Sequence, residues 1–132
     1  MEFKLEIGMT GEIEKVVTEK DTAASFGSGS VLVLATPMMI GLMENAAMKA
    51  VDPSLPDDYA TVGIHLDVKH LAATPVGMKA TAKAELIEID GKKLKFKIEA
   101  YDEKDKIGEG YHSRYIINVP KFINASKDKL EK

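Results

Sequence analysis

One stretch of this chain, Val31 to Val51, can form a long apolar helix, and most of the sequence beyond Val51 alternates apolar and polar residues. Met78, Ala80, Ala82, Ala84 and Leu86 share one parity, with Lys79, Thr81, Lys83 and Glu85 on the other. That is the pattern of a half-buried strand. After Asp90-Gly91, a favoured two-residue hairpin turn, Leu94, Phe96, Ile98 and Ala100 repeat the pattern. Further strands are expected over 60–71 and 107–119, the last ended by Pro120, with a first one over 12–18. Antiparallel strands with one wet face need a cover for the other, and the helix is the only apolar element able to supply it. The expected fold is therefore α+β: an antiparallel five-stranded sheet wrapped around one long central helix, the hotdog architecture. So small a sheet leaves edges that want pairing, which predicts a homodimer with a continuous sheet and leaves a dimer of dimers open.

The 132 residues suit a single domain, 1–132, with a charged tail from about 126 to 132 expected to fray. Ser25-Phe-Gly-Ser-Gly-Ser30, rich in small residues, is expected as a mobile loop. A net charge of -3 with scattered basic residues argues against nucleic-acid binding. The absence of cysteine removes disulfides and thiolate chemistry, and no ligand cluster calls for a metal. With no run long enough for a signal peptide or a membrane span, the expected location is the cytoplasm.

Thr36-Pro37 reads as an N-cap followed by first-turn proline, so the helix is expected from about Pro37 to Val51. On a helical wheel Asn45, Lys49 and Asp52 define its wet face, while Glu44 lies about 100° away beside Ile40, Ala47 and Val51. A carboxylate there is either compensated or functional, because burying a lone charge is costly. Its simplest explanation is a shoulder carboxylate reaching water or a lysine. On the 60–71 strand, Val62, Ile64, Leu66, Val68 and His70 share a parity, which sends His70 toward the helix and leaves His65 in solvent. A histidine and a carboxylate facing one another can share a proton and do acid/base work. Thr36 joins them as a candidate, but eight residues of helix span roughly 12 Å, too far for it to touch Glu44. Free amides at the helix start suit a developing oxyanion.

Four blocks, Leu-Ala-Thr36-Pro, Gly41-Leu-Met-Glu44-Asn-Ala-Ala, His70-Leu-Ala-Ala-Thr-Pro-Val-Gly77 and Gly108-Glu-Gly-Tyr-His-Ser-Arg114, together resemble the hotdog-fold acyl-CoA thioesterases related to fluoroacetyl-CoA thioesterase. The resemblance spans nearly the whole chain. It implies a catalytic set at Thr36, Glu44 and His70, a substrate-contacting Gly63 and an arginine near the acyl site, Arg114. Without it, Arg114 and His112, which share a parity, read as solvated residues of a last strand. The fluoroacetyl-specific members carry bulky aromatics before the helix, whereas this loop reads Phe26-Gly-Ser-Gly-Ser30, so only Phe26 could serve as a partial lid.

The expected activity is hydrolysis of a small acyl-CoA thioester, with coenzyme A present only as part of the substrate and no separate cofactor. Glu44 would act as nucleophile or general base, His70 would move protons and Thr36 would position the attack. A few lysines at the pocket mouth, from Lys69 or the 92–97 strand, could meet the phosphates. A hydratase or dehydratase built on the same pair, or a noncatalytic acyl-CoA-binding module, are the alternatives.

Overall fold

The structure, a computed structural model, describes residues 3–131. One antiparallel sheet is built from β1 (Thr10–Val16), β2 (Tyr59–His70), β3 (Lys79–Asp90), β4 (Lys93–Tyr101) and β5 (Lys106–Asn118), in spatial order β1-β3-β4-β5-β2. Helices α1 (Ala23–Phe26) and α2 (Thr36–Val51) lie between β1 and β2, and α3 (Val119–Lys127) follows β5. The sheet curls around α2, which packs mainly on β1 and β3. The α+β hotdog expectation holds.

The alternation does what it promised. Ala80, Ala82, Ala84 and Leu86 of β3 and Leu94, Phe96, Ile98 and Ala100 of β4 are all buried. The crossing of α2 over β1 and β3 is small against small, with Ala46, Ala47 and Ala50 on the helix. Gly11 on β1 is part of this approach: a Cβ there would overlap the Ala46 carbonyl and sit 2.7 Å from the Ala50 nitrogen. Larger side chains fill the other end of α2, where Met39 and Met43 are fully buried, each worth about 1.5–3 kcal/mol of transfer free energy. Gly108 on β5 makes room for them, since its Cβ would lie 2.6 Å from the Met39 sulfur.

Some local expectations shift. The β3–β4 loop is Gly91-Lys92, because Asp90 and Lys93 still pair; Gly91 has φ 60°, as the first residue of a type II′ turn requires. The segment expected as a loop from Ser25 opens inside α1, whose N-cap Thr22 hydroxyl accepts the Ser25 amide. Pro120 does end β5, but by entering the first turn of α3, capped by Asn118. The charged segment from Ser126 continues α3 to Lys127 and then makes a 3-10 turn, Asp128–Leu130, with none of it buried; Lys132 lies outside the described residues.

β2 is the strand that matters for the site, and it is irregular. Its register against β5 slips between Gly63 and His65, so Ile64 is a bulge. A bulge exchanges the faces of a strand, and the single-parity reading of Val62, Ile64, Leu66, Val68 and His70 fails there. Thr61 and Gly63 face α2 before the bulge, Val68 and His70 after it. β2 is also a free sheet edge, with Ile64 50% and Leu66 40% exposed. Among the described residues no helix is long and apolar enough to cross a membrane.

Candidate active site

The start of α2 presents the first group. Ala35, with extended φ and ψ, is the N-cap; Thr36 is the first helical residue and Pro37 the second, so the expected capping role of Thr36 is not used. Its hydroxyl instead lies 2.6 Å from Nδ1 of His70, the last residue of β2. The other ring nitrogen of His70, Nε2, is buried and has no partner among the described residues. Burial lowers the His70 pKa below its ordinary value, against an opposing pull from the Ala72 backbone, which favours the neutral imidazole. Both residues border a cleft of about 420 Å³ whose walls include Ala23, Ser28, Leu71 and Ala73. Phe26 does not line it and is 52% exposed. The expected set of oxyanion amides shrinks here. Pro37 has no N–H, and the Met38 and Met39 amides both bond to the Ala35 carbonyl, which among the described residues leaves Thr36 N–H as the free donor of the turn.

Two turns along α2, Glu44 is half-buried on the helix shoulder. It does not face His70 in the same chain. Its carboxylate lies against β2 at Gly63, where a Cβ would come within 2.8 Å of Oε2. The same Cβ would approach the His112 ring to 3.1 Å and the Arg114 guanidinium to 3.6 Å. Gly63 and Arg114 stand directly opposite in the β2–β5 register, which puts both on the helix side. Glu44, Asn45, Met48, Thr61, Gly63 and Arg114 border a second opening of about 380 Å³.

Arg114 and His112, solvated on parity alone, are buried at 6% and 0% exposure. The guanidinium donates from Nε to the Thr61 hydroxyl at 2.7 Å, from Nη2 to the Thr61 carbonyl at 2.8 Å and from Nη1 to His112 Nε2 at 3.1 Å. Thr61 and His112, which hold the Arg114 guanidinium, are not among the site residues expected from the sequence. The available signal was the spacing of Thr61 and Gly63, two apart on β2, against His112 and Arg114, two apart on β5. The lysines expected at the mouth do not border either opening.

A hydroxyl on an imidazole, with a carboxylate beside a fixed guanidinium in a separate opening, is equipment for attacking a polarised carbonyl and protonating its leaving group. The fold that carries it is that of a hotdog acyl-CoA thioesterase. The structure of the fluoroacetyl-CoA thioesterase FlK superposes with a TM-score of 0.88 at 32% identity, covering 95% of this chain and 97% of that one. A threonine-to-serine mutant of FlK in complex with acetyl-CoA gives 0.90 at 32% identity, with 95% and 98% covered. The fluoroacetyl-CoA thioesterase of Streptantibioticus cattleyicolor is 41% identical over 97 residues, 74% of this chain and 70% of its own. The family profile described as fluoroacetyl-CoA-specific thioesterase matches residues 17–120, and the chain belongs to that family.

Proposed function

We propose that this thioesterase hydrolyses small acyl-CoA thioesters at a site completed by two copies of the chain, with Thr36 and His70 from one and Glu44 from the other. The observation that carries the proposal is the separation of the two groups: eight residues along α2 put them roughly 12 Å apart, in different openings. The free edge of β2 supplies the remedy. Antiparallel pairing of two β2 edges about Asp67, with Ile64 bulged out of the count, sets His70 of one copy opposite Gly63 of the other, bringing Glu44 to the Thr36–His70 cleft. It also covers the exposed Ile64 and Leu66. Assembly of two such dimers is a further option that this interface leaves free.

In this reading the thioester carbonyl sits between the groups. Glu44 either takes a proton from water, whose oxygen then adds to the carbonyl carbon, or adds its own oxygen to form an anhydride that water opens. The free Thr36 amide faces the oxyanion. The tetrahedral intermediate collapses by breaking the C–S bond: Nε2 of His70 gives its proton to the departing thiolate as Nδ1 takes up the Thr36 hydroxyl proton, so the ring stays neutral, and the proton drawn from water returns to the Thr36 oxygen. Products are a carboxylic acid and coenzyme A. Side chains and water suffice, and coenzyme A enters only with the substrate. The cleft walls, small at Ala23, Ser28 and Ala73, suit a short acyl group. The proposal names small acyl-CoA thioesters generally, because Gly27-Ser-Gly-Ser30 gives this loop no aromatic lid. The cytoplasm is the proposed location, on the lack of cysteine.

A thiol-release screen over acyl-CoAs of increasing length tests the activity, with turnover expected for acetyl- and propionyl-CoA. Loss of enoyl absorbance without thiol release would point to hydration instead, and tight acyl-CoA binding without turnover to a binding module. Complementation tests the shared site. Glu44→Ala and His70→Ala dimers are each expected to be inactive. Mixed and allowed to exchange, they should recover about a quarter of wild-type activity, since half the dimers are mixed and each holds one intact site. A site contained in one chain predicts no recovery.

A further inference from the structure

The Arg114 guanidinium is buried, yet its hydrogen bonds go to neutral acceptors: the Thr61 hydroxyl, the Thr61 carbonyl and the His112 ring. Among the described residues no carboxylate makes an ion pair with it. Buried arginines are ordinarily paired, because an uncompensated charge inside a protein is costly. Here the compensation is arranged one bond further out.

The hydrogen bonds run in one consistent direction. The Thr61 hydroxyl donates to Asp52 Oδ1 at 2.6 Å, and the Thr61 amide donates to Oδ2 at 3.3 Å. With its proton committed, the Thr61 oxygen can only accept from Arg114. On the other side, Nδ1 of His112 lies 2.9 Å from the His65 carbonyl, which fixes the proton on Nδ1 and leaves Nε2 as an acceptor for Arg114. Burial, then the positive charge of Arg114, lowers the pKa of His112 and favours this neutral ring. Three of the five guanidinium N–H groups are used, which fixes its plane, and one each on Nη1 and Nη2 remains. Arg114 borders the same opening as Glu44.

We propose that Asp52, Thr61 and His112 are positioning residues for Arg114, which hold its guanidinium in a set orientation by neutral contacts and so keep its charge available to an electron-rich atom of the acyl-CoA. A direct carboxylate partner would orient the group and quench it; the intervening threonine and imidazole orient it only. The inference rests on the proposed thioester site for its consequence, but its geometry can be read separately.

The test uses the full chain, with His112→Leu, Thr61→Val and His112→Gln, the last retaining an acceptor oxygen near the place of Nε2. The Arg114 Nε–H resonance in 15N spectra, assigned by its absence in Arg114→Gln, should be slow to exchange in the wild type. It should stay so in His112→Gln and exchange at least tenfold faster in Thr61→Val. Thiol release should fall at least tenfold in kcat for His112→Leu, recover most of that loss in His112→Gln, and change less than twofold when His112→Leu is added to Arg114→Gln. Thr61→Val, judged by the same signal and by melting temperature, carries the test if His112→Leu does not fold. An Nε–H that exchanges as slowly in Thr61→Val as in the wild type, or losses from His112→Leu and Arg114→Gln that multiply, overturns the proposal. A wild type that releases no thiol overturns the thioester reading alone, since the exchange measurement needs no turnover.

Discussion

Replacing Gly63 with alanine should separate activity from stability. The new methyl carbon would sit 2.8 Å from Glu44 Oε2, while ordinary contact begins at 3.4 Å, so the carboxylate must retreat by about 0.6 Å. It can do so cheaply, because it is the far end of a flexible side chain on the helix shoulder. The His112 ring, at 3.1 Å, is fully buried and has less freedom, so a few tenths of an ångström of crowding remain there. Overpacking of that size costs about 1 kcal/mol, at the low end of the usual range. Displacement of a reacting group by a good fraction of an ångström is another matter, worth about 10- to 100-fold in rate. The expected result is a melting temperature lowered by no more than about 4–8 °C, with kcat/KM for acetyl-CoA down about 10- to 100-fold. Thermal melts and thiol-release kinetics on the same preparation measure both. Full activity in a folded Gly63→Ala variant would refute the placement of Glu44 against β2. A large loss of stability with unchanged kcat per folded molecule would make the glycine purely structural.

Thr36→Ser should keep activity within about threefold, because the hydroxyl survives, whereas Thr36→Ala should lose about 100-fold in steady-state thiol release. Gly11→Ala should destabilise by roughly 3 kcal/mol or more, read from urea melts, since the atoms its Cβ meets are helix backbone that cannot swing aside. The pH dependence has a definite sign. His70 and His112 both have pKa values lowered by burial from 6.5, so the unfolded chain binds more protons than the native one as pH drops. Their contribution to stability is complete above pH 6.5 and is lost as pH falls below it through the native values, which urea midpoints between pH 5 and 8 should show. Leu66→Lys should place a charge in the middle of the proposed β2 interface, giving monomers by light scattering and loss of turnover together.

Much of the fold was legible because β3 and β4 are regular: one parity carries Ala80 to Leu86 and Leu94 to Ala100, and the structure buries each of them. Helix α2 was legible for a similar reason, its apolar length ended by Asp52-Pro53. The hairpin loop was misplaced by one residue because glycine is favoured both in type I′ and at the first position of type II′, and only backbone angles distinguish them. The site was legible in its members more than in its contacts. His70 was correctly sent toward the helix, but by way of a regular strand, and the bulge that restores His70 to that face also brings Thr61 and Gly63 there. Nothing in the local sequence announces a bulge at Ile64. The pairing of Thr36 with His70 depended on the helix beginning at Thr36 with Ala35 as its N-cap, which left the threonine hydroxyl free of capping. Arg114 and His112 have polar side chains at core parity, and no alternation rule marks a polar residue as buried until its partners across the sheet are known.

The bulge at Ile64 also governs how this strand can change over time. Gly63 and His70 are seven positions apart, an odd spacing that a regular strand would point in opposite directions. With the extra residue both look at α2, so β2 behaves as two rulers offset by one mark. Deleting Ile64 would restore a regular strand and turn one ruler over, so that either Thr61 and Gly63 or Val68 and His70 keep facing the helix, but not both. Point substitutions can therefore tune each half independently, while any change of length across this one residue must rebuild one half. A graft of β2 into another hotdog scaffold has to carry the bulge with it.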